Sequence, residues 1–163
     1  MKRLLTAHDF RAMPWANGKG VTLELARADV QGVMLWRLSR ASVVQDGPFS
    51  TFAAVERCLT VLTGPGFDLV GPGITLQARP FVPVEFPGDV PIRAVGVTAP
   101  SDDFNVMSAR HLPKPQVQVL RVAQRLATCE MAIYWPEKEQ LLLTDEGHDF
   151  AGDGPAIAVF LPR

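Results

Sequence analysis

Several features that mark particular classes of protein are scarce in this sequence. Its 163 residues include two cysteines and three histidines, and acidic and basic residues nearly balance to a formal net charge of −1. Cys58 and Cys129 lack a paired spacing, so we expect two buried thiols rather than a disulfide framework. Because no run of like charges occurs, nothing in the sequence favours nucleic acid or an anionic membrane as a partner.

Targeting signals and long apolar runs are also missing. The first ten residues, MKRLLTAHDF, have a basic start but no apolar stretch of the length that a signal peptide needs. No later run approaches the length of a membrane span. The sequence therefore predicts a soluble, cytoplasmic protein.

The residue clusters that usually carry metal or nucleophilic chemistry are absent from the sequence. His8, His111 and His148 show neither H-x-H nor H-x-x-x-H spacing, whereas metal sites in β proteins need clustered His and carboxylate ligands. There is no G-x-S-x-G motif, and Cys58 lies in an apolar run that predicts an inert thiol. We therefore expect neither a metal ion nor another cofactor.

Two pairs of adjacent carboxylates occur, Asp102-Asp103 and Asp145-Glu146. Adjacent residues on a strand point to opposite faces, so neither pair forms a ready acid–base dyad. A solvated turn is the better interpretation of both pairs.

Proline and glycine punctuate the chain and predict its fold class. Fourteen prolines and thirteen glycines separate short apolar runs such as CLTVLT, FDLVG, CEMAIYW and AIAVFLPR. Many short strands with regular turns indicate an all-β sandwich or barrel. The weak helical candidates are residues 1–10, or a turn at 49–55. We expect one body over residues 1–163, with a seam near LPKPQ (112–116) between a larger N-terminal half and a smaller C-terminal half.

The stretch WANGKGVTLE (15–24) has the glycines of a phosphate loop but not their spacing. A P-loop places four residues between its glycines, follows the second with Lys and Ser or Thr, and opens a helix. Here Gly18, Lys19 and Gly20 are adjacent, and the alternating residues from 21 to 25 indicate a strand. We interpret the stretch as a tight turn into a strand, whose glycines permit close approach of a neighbouring segment.

The strand WRLSRAS carries a more specific pattern. With a period of two, Arg37, Ser39 and Ala41 share one face. The small side chains leave room beside a guanidinium group that can donate to a carboxylate. An Arg37 that forms an ion pair with Glu24 or Glu56 on an outer sheet face fits the sequence equally well.

A second polar cluster lies in SDDFNVMSARH. Asp103, Asn105 and Met107 alternate and would share one face of an extended segment, and Arg110 follows them. Carboxylate, amide and guanidinium groups in apolar surroundings are typical of a small-molecule pocket. Polar residues scattered at loop ends would give the same pattern, so both interpretations stay open.

Taken in order, these segments resemble the HutD/Ves family of cupin-like proteins. The family pattern reads roughly W-x-N-G-G-G-x-T-x-E, W-R-(L/I)-S-x-A, G-P-F-S-x-F, an Arg before an apolar strand, F-x-G-D, and D-x-N-x-M with a following Arg. This sequence supplies WANGKGVTLE, WRLSRAS, GPFSTF, Arg57, FPGD at 86–89, and DFNVMSAR. The resemblance covers residues 15–110, and the segment from Leu112 onward carries no matching motif.

The resemblance implies a cupin-type β barrel, often described as two cupin halves in one chain, with no catalytic metal. In metal cupins, one ligand is a Glu that stands six residues before a Gly. Arg57 occupies that slot here, with Gly64 after six intervening residues. A cation in the place of a carboxylate would favour an anionic ligand over a metal ion.

Two positions depart from the family pattern. Lys19 replaces the middle glycine of N-G-G-G, and Arg40 stands where the family has an aliphatic residue. A Lys19 that points inward would bind a carboxylate, whereas one that points outward would only solvate the turn. Both departures leave the identity of the ligand open.

The family is associated with histidine utilization in bacteria, and the intermediates urocanate, formiminoglutamate and formylglutamate are all anionic. We expect a metal-independent cupin that binds such a carboxylate and has an accessory or regulatory role. The alternatives are a metal-independent hydrolase or isomerase with Asp103 or Glu24 as its base, and a purely structural or protein-binding module. Pairing through strand edges would make a homodimer, and the sequence leaves the oligomeric state open.

The expected binding site draws on all of these motifs. Arginines 37, 57 and 110 are the expected anion donors, with neutral hydrogen-bond partners and apolar walls around them. The full set of expected ligand-binding residues is Trp15, Asn17, Lys19, Thr22, Glu24, Arg37, Ser39, Phe49, Ser50, Arg57, Phe86, Asp103, Asn105, Met107 and Arg110.

Overall fold

The computed structural model describes residues 1–15, 18 and 20–162, and its regular structure is almost entirely β. A 3-10 helix at Ala7–Asp9 is the one helical element among the described residues. The predicted all-β class is therefore confirmed. Within the same residues, no helix has the length and apolar character needed to cross a bilayer.

The strands are short and follow one another closely. Up to residue 111 they are β1 (Lys2–Leu5), β2 (Arg11–Pro14), β3 (Val21–Val30), β4 (Val33–Val43), β5 (Gly47–Pro48), β6 (Val55–Thr63), β7 (Phe67–Gly71), β8 (Ile74–Ala78), β9 (Val84–Pro87), β10 (Arg93–Val95) and β11 (Ser101–Ala109). After residue 111 they are β12 (Gln116–Leu120), β13 (Gln124–Leu126), β14 (Met131–Trp135), β15 (Gln140–Thr144), β16 (His148–Phe150) and β17 (Ala156–Phe160).

Contacts divide the chain into two compact units. One unit combines Met1–Phe10 with the segment from Leu112 onward, and the other comprises Arg11–His111. The expected single body with a seam near 112–116 stays a prediction.

The first unit contains a five-stranded sheet in the order β1-β15-β14-β17-β12 and a separate pair, β13-β16. Its apolar core includes Leu120, Met131, Ile133 and Phe150. Strand β1 joins the sheet antiparallel to β15, so the helical candidate at residues 1–10 is wrong. Its weak local helical tendency is overridden by pairing with a strand from the far end of the chain.

The second unit contains a six-stranded sheet in the order β2-β3-β4-β11-β6-β9 and a four-stranded sheet in the order β5-β10-β7-β8. Val43, Leu59 and Val61 of the larger sheet cluster with Phe67 and Leu69 of the smaller one. The core of this unit therefore lies between the two sheets. The side chains of the larger sheet that point towards the smaller one define its inner face.

Strand β11 lies between β4 and β6 and is antiparallel to both. Asp103 pairs with Ala41 and Asn105 with Ser39 on β4, while Met107 pairs with a residue on each neighbour, Arg37 on β4 and Arg57 on β6. Because paired residues share a face of the sheet, the register collects these polar side chains on one face. It is the inner face, because Arg57 shares its side of β6 with Leu59 and Val61, which lie two and four residues further along the strand and belong to the core between the sheets.

The turn that follows β6 requires glycine at residue 64. The φ angle of Gly64 is +81°, and a Cβ atom there would lie 2.2 Å from the carbonyl oxygen of Pro100. Any side chain would therefore be strained and would collide with backbone. This turn fixes the end of β6, the strand that carries the buried Arg57.

Candidate functional site

A pocket of about 340 Å³ opens on the inner face of the six-stranded sheet. Its lining includes ten residues that the sequence predicted: Trp15, Thr22, Arg37, Ser39, Phe49, Ser50, Arg57, Asp103, Asn105 and Met107. Residues two apart on β4 and on β11 share a face of the sheet, as the sequence pattern predicted, and these residues line the pocket together.

Arg57 is a buried cation in the lining of this pocket, and its side chain is held on several sides. The residue is 8% exposed, and its Nη2 atom donates a hydrogen bond of 2.8 Å to Asn105 Oδ1. Its Cζ atom lies 5.3 Å from the ring centroid of Phe49, 5.6 Å from that of Phe52 and 5.1 Å from that of Phe86. Such cation–π contacts partly compensate a buried guanidinium for lost hydration.

The contacts of Arg57 do not satisfy all the hydrogen-bond donors of its guanidinium group. Its Nε atom is buried and has no hydrogen-bond partner among the residues that the structure describes. Burial lowers the pKa of Arg57 to about 10; Asp103 acts in the opposite direction, and Arg37 lowers the pKa further. Arg57 therefore remains a cation at neutral pH, in surroundings that lack a full set of acceptors for its N–H groups.

Asp103 supplies the opposite charge and lies deeper on the same face. It is 1% exposed, and its Oδ1 atom accepts a hydrogen bond of 2.5 Å from Asn105 Nδ2. Burial raises the pKa of Asp103 to about 7, against the lowering effect of the Arg57 charge. The Asn105 amide therefore connects a buried cation to a carboxyl group that titrates near neutrality.

The interpretation of Asp102-Asp103 as a solvated turn is wrong, because both residues belong to β11. Their side chains do point to opposite faces, as expected of neighbours on a strand. Asp102 accepts a hydrogen bond of 2.9 Å from Arg40 Nη2 and another from the Ser42 hydroxyl. Because β11 is paired on both sides, Asp102 forms an ion pair with Arg40 on the outer face, whereas the carboxyl group of Asp103 is buried on the inner face.

Arg37 forms one of the two ion pairs that the sequence allowed, and it also lines the pocket. Its Nε atom donates to Glu24 Oε2 at 2.8 Å, and its Nη2 atom lies 3.3 Å from the sulfur of Met13. The side chain nevertheless lines the pocket. Glu24 is therefore the ion-pair partner of Arg37; it pairs with Ser39 across β3 and β4 and so lies on the same face, beside the residues that line the pocket.

Trp15 closes part of the pocket next to the glycine turn. Its Nε1 atom donates to Thr22 Oγ1 at 2.8 Å, and its backbone N–H donates to the carbonyl oxygen of Gly20 at 2.9 Å. A Cβ atom at Gly20 would lie 2.8 Å from the Trp15 ring, so the glycine admits the ring. The other two predictions in this turn, Asn17 and Lys19, lie outside the described residues.

Arg110 is not brought to the pocket, contrary to its expected role as a third anion donor. Its Nε atom donates to Glu56 Oε1 at 2.7 Å, and Nη1 and Nη2 donate to the two carboxylate oxygens of Asp89 at 2.8 Å each. These contacts raise the pKa of Arg110 and lower that of Asp89 to about 2. The three residues form an ion-pair cluster in which the Arg110 guanidinium already donates its hydrogen bonds to the two carboxylates.

Phe86 is also absent from the lining, although its ring contacts the Arg57 guanidinium. Residues that the prediction missed complete the wall: Ala41, Val43, Pro48 and Phe52. Extending the WRLSRAS alternation by one step would have found Val43. The second phenylalanine of GPFSTF was a visible signal for Phe52.

The described residues contain no group of three His, Cys, Asp or Glu side chains placed to hold a metal ion. Cys58 is buried, as expected, and burial raises the pKa of its thiol to about 12. Cys129 is only partly buried. The chemical groups of the pocket are therefore two guanidinium groups, one carboxyl group, one amide and several hydroxyl groups.

Comparison with known proteins gives consistent matches over most of the chain. The HutD family matches residues 7–155. A Pseudomonas putida protein described as "Uncharacterized 21.2 kDa protein in hutC 3'region" is 35% identical over 129 residues, covering 76% of this chain and 67% of that protein. Protein Ves of Cronobacter sakazakii is 33% identical over 155 residues, covering 85% of this chain and 83% of that protein.

Two solved structures match along nearly their whole length. HutD from Pseudomonas fluorescens SBW25, in a formate condition, has a TM-score of 0.78 and 26% identity, covering 99% of this chain and 95% of that one. The conserved protein PA5104 from Pseudomonas aeruginosa PAO1 has a TM-score of 0.78 and 27% identity, covering 98% of this chain and 97% of that one.

Proposed function

The chain belongs to the HutD/Ves family, and we propose that it is a metal-independent protein that binds a small carboxylate metabolite in its arginine pocket. The cupin-like fold that the sequence predicted is confirmed. The proposed role is accessory or regulatory and linked to histidine utilization. The hutC 3' region named for the Pseudomonas putida relative supports that link.

The observation that carries the proposal is the incomplete coordination of Arg57. A guanidinium group has five N–H donors, and Asn105 is the one hydrogen-bond acceptor that the described residues offer to Arg57. A carboxylate accepts two N–H groups from a guanidinium side by side, with a geometry that water does not match. A bound carboxylate would thus accept hydrogen bonds from N–H groups of Arg57 that have no acceptor among the described residues.

The second arginine adds to this preference for an anion. Arg37 lines the same pocket and lowers the pKa of Arg57, because the two positive charges repel each other. Glu24 pairs with Arg37 but is not one of the lining residues, so the lining itself carries one carboxyl group and two guanidinium groups. An anion placed between the two guanidinium groups would relieve their repulsion.

The proposal can be tested by thermal unfolding of the protein with urocanate, formiminoglutamate, formylglutamate and formate, each with and without EDTA. A ligand at about a hundred times its dissociation constant stabilises a protein by roughly 2.7 kcal/mol. For a chain of this size the midpoint rises by roughly 5 to 10 °C. We expect such a shift for one of the acids, with or without EDTA.

Two variants make the test specific. Arg57→Met should abolish the shift, because it keeps the apolar volume and removes the donors. Arg110→Gln should keep the shift, because Arg110 lies outside the pocket. Equal losses in the two variants, or no shift with any acid, would refute the proposal.

A second function, a metal-independent hydrolase or isomerase, is favoured by one observation. Asp103 is a buried carboxyl group whose pKa of about 7 suits a general acid or base at neutral pH. Incubation of the same acids with wild-type protein and with Asp103→Asn would decide the question. Turnover by the wild type that disappears in the variant supports an enzyme, and its absence from the wild type excludes this reaction for these acids.

A further inference from the structure

The pocket has a cationic end and an acidic end along β11. Arg37, Met107 and Arg57 form one cross-strand row; Ser39 and Asn105 pair in the next row, and Ala41 and Asp103 in the third. Successive rows on one face are about 7 Å apart. A ligand that lies along the strand therefore meets the guanidinium groups at one end and the carboxyl group at the other.

Asp103 has unused capacity as a hydrogen-bond acceptor. Its Oδ1 atom accepts from Asn105, and the hydrogen bonds of the described residues include no second donor to this carboxyl group. Ala41, which pairs with Asp103 in this row, has a small side chain and leaves space next to the carboxyl group. A buried carboxylate accepts several hydrogen bonds when donors are present and is destabilised without them.

We propose that the pocket selects acids that also carry an N–H group, with the carboxylate on Arg57 and Arg37 and the N–H donating to Asp103. This inference rests on the proposed function, because it concerns the same pocket and the same anion. An amide, an amidine or an azole ring supplies a suitable N–H. A second carboxylate in the position of the N–H does not, because its negative charge would face Asp103.

The separation of the two ligand groups follows from the residues between them. The Asn105 side chain spans the distance from Arg57 to Asp103 with one amide and two hydrogen bonds. The N–H of a fitting acid is thus separated from its carboxylate by a short chain or one small ring. Phe49 and Phe52 supply apolar surface for that connecting part.

The proposal makes the pH dependence of binding differ between ligand types. The charged groups around Asp103 are Arg57 on β6, and Asp102 and Arg40 through the sheet. An N–H donor prefers the ionised Asp103, so the affinity of such an acid rises as pH increases through about 7. A plain acid is repelled by the ionised carboxylate, so its affinity falls over the same range.

Titration calorimetry on the full chain can test the proposal with two matched pairs of acids. N-acetylglycine and levulinate differ in that CH₂ replaces the N–H. Urocanate and 3-(oxazol-5-yl)acrylate differ in that a ring oxygen replaces a ring N–H, while the second ring nitrogen is kept. We expect the wild type at about pH 8 to bind the N–H member of a pair at least about tenfold more tightly, since hydrogen bonds to charged groups are among the strong ones.

Variants assign the preference to Asp103. Asp103→Asn should lose most of the discrimination, whereas Asp102→Asn, changed on the outer face, should retain it. Circular dichroism confirms that each variant is folded, and a repeat at about pH 6 tests the opposite slopes. Equal affinities within both pairs, or a preference that survives in Asp103→Asn, would overturn this inference and leave the proposed function standing. Failure of all four acids to bind would overturn this inference, and it would overturn the proposed function as well if none of the acids in the thermal-unfolding test shifts the midpoint.

Discussion

Asn105 and Asp103 lie two residues apart on β11, and the amide of the first donates to the carboxyl group of the second at 2.5 Å. Since Asn105 Oδ1 also accepts from Arg57, the orientation of the amide is fixed by its two neighbours. The three side chains form one connected polar group in an apolar surround, and a change in one is felt by the other two.

Replacing Asp103 should change how stability depends on pH. The pKa of Asp103 is raised from 3.8 to about 7, so between these values the native state holds a proton that the unfolded chain has released. Its contribution to stability is therefore lost as pH rises from about 4 to about 7. Relative to wild type, Asp103→Asn should be more stable at about pH 8 than at about pH 4 by on the order of 3 kcal/mol.

Urea unfolding of both proteins at the two pH values measures this difference. Comparing the variant with wild type at each pH cancels the titration of the other carboxyl groups. A stability difference between variant and wild type that does not change with pH would mean that Asp103 titrates normally in the folded protein.

Arg57→Met should separate ligand binding from stability. At about pH 6, where Asp103 is protonated, the variant leaves no buried charge unpaired, so we expect a change in stability within about 2 kcal/mol. Above about pH 7 the ionised Asp103 has lost its partner, and the variant should be less stable than wild type by roughly 3 to 5 kcal/mol. The pKa of Asp103 should rise further, because the Arg57 charge lowers it in the wild type. Denaturant unfolding at several pH values, together with ligand titration, tests these statements. Retention of wild-type ligand affinity would contradict the assignment of Arg57.

Arg110→Gln should affect stability but not binding. The variant loses hydrogen bonds to Glu56 and Asp89, both of which lie outside the pocket lining. Because exposed ion pairs are screened by salt, the destabilisation should shrink as salt is added. Thermal midpoints at low and high salt, with and without ligand, measure the effect. A ligand affinity that falls as far as in Arg57→Met would place Arg110 in the binding site after all.

Gly20→Ala should displace the Trp15 ring. The new Cβ atom would lie 2.8 Å from a ring atom, so the indole must move away from the Thr22 hydroxyl that it contacts. We expect a weaker ligand affinity and a loss of stability of about 1 kcal/mol from the lost hydrogen bond. The Trp15 Nε1–H resonance in a ¹⁵N-correlated NMR spectrum should shift. Gly47→Ala, where a Cβ atom would meet nothing within 4 Å, is the matched control.

The inner face of the site could be predicted because it depends on strand periodicity alone. Alternation on one strand grouped Arg37 with Ser39, and alternation on another grouped Asp103 with Asn105. Which side chains of a strand share a face does not depend on the strands that pair with it, so this grouping needs no knowledge of the partners. The prediction of a pocket from these two segments therefore required only that the strands be adjacent.

The errors came from contacts between distant parts of the chain. Arg110 looked like an anion donor because the sequence does not reveal that Asp89 and Glu56 lie beside it. Residues 1–10 looked weakly helical because the partner of β1, strand β15, lies near the other end of the chain. Arg37 fitted either an anion donor or an ion pair on an outer sheet face; the fold gives it the ion pair with Glu24 on the inner face, where Arg37 also lines the pocket.

The position of β11 between two partner strands has a consequence for how proteins of this kind diverge. Its backbone is held by hydrogen bonds to β4 and β6, whichever side chains it carries at residues 103, 105 and 107. Exchanging the carboxyl group, the amide or the thioether there alters what the cavity accepts and leaves the strand in place. Gene duplicates could thus acquire new metabolites one substitution at a time, without passing through unfolded intermediates.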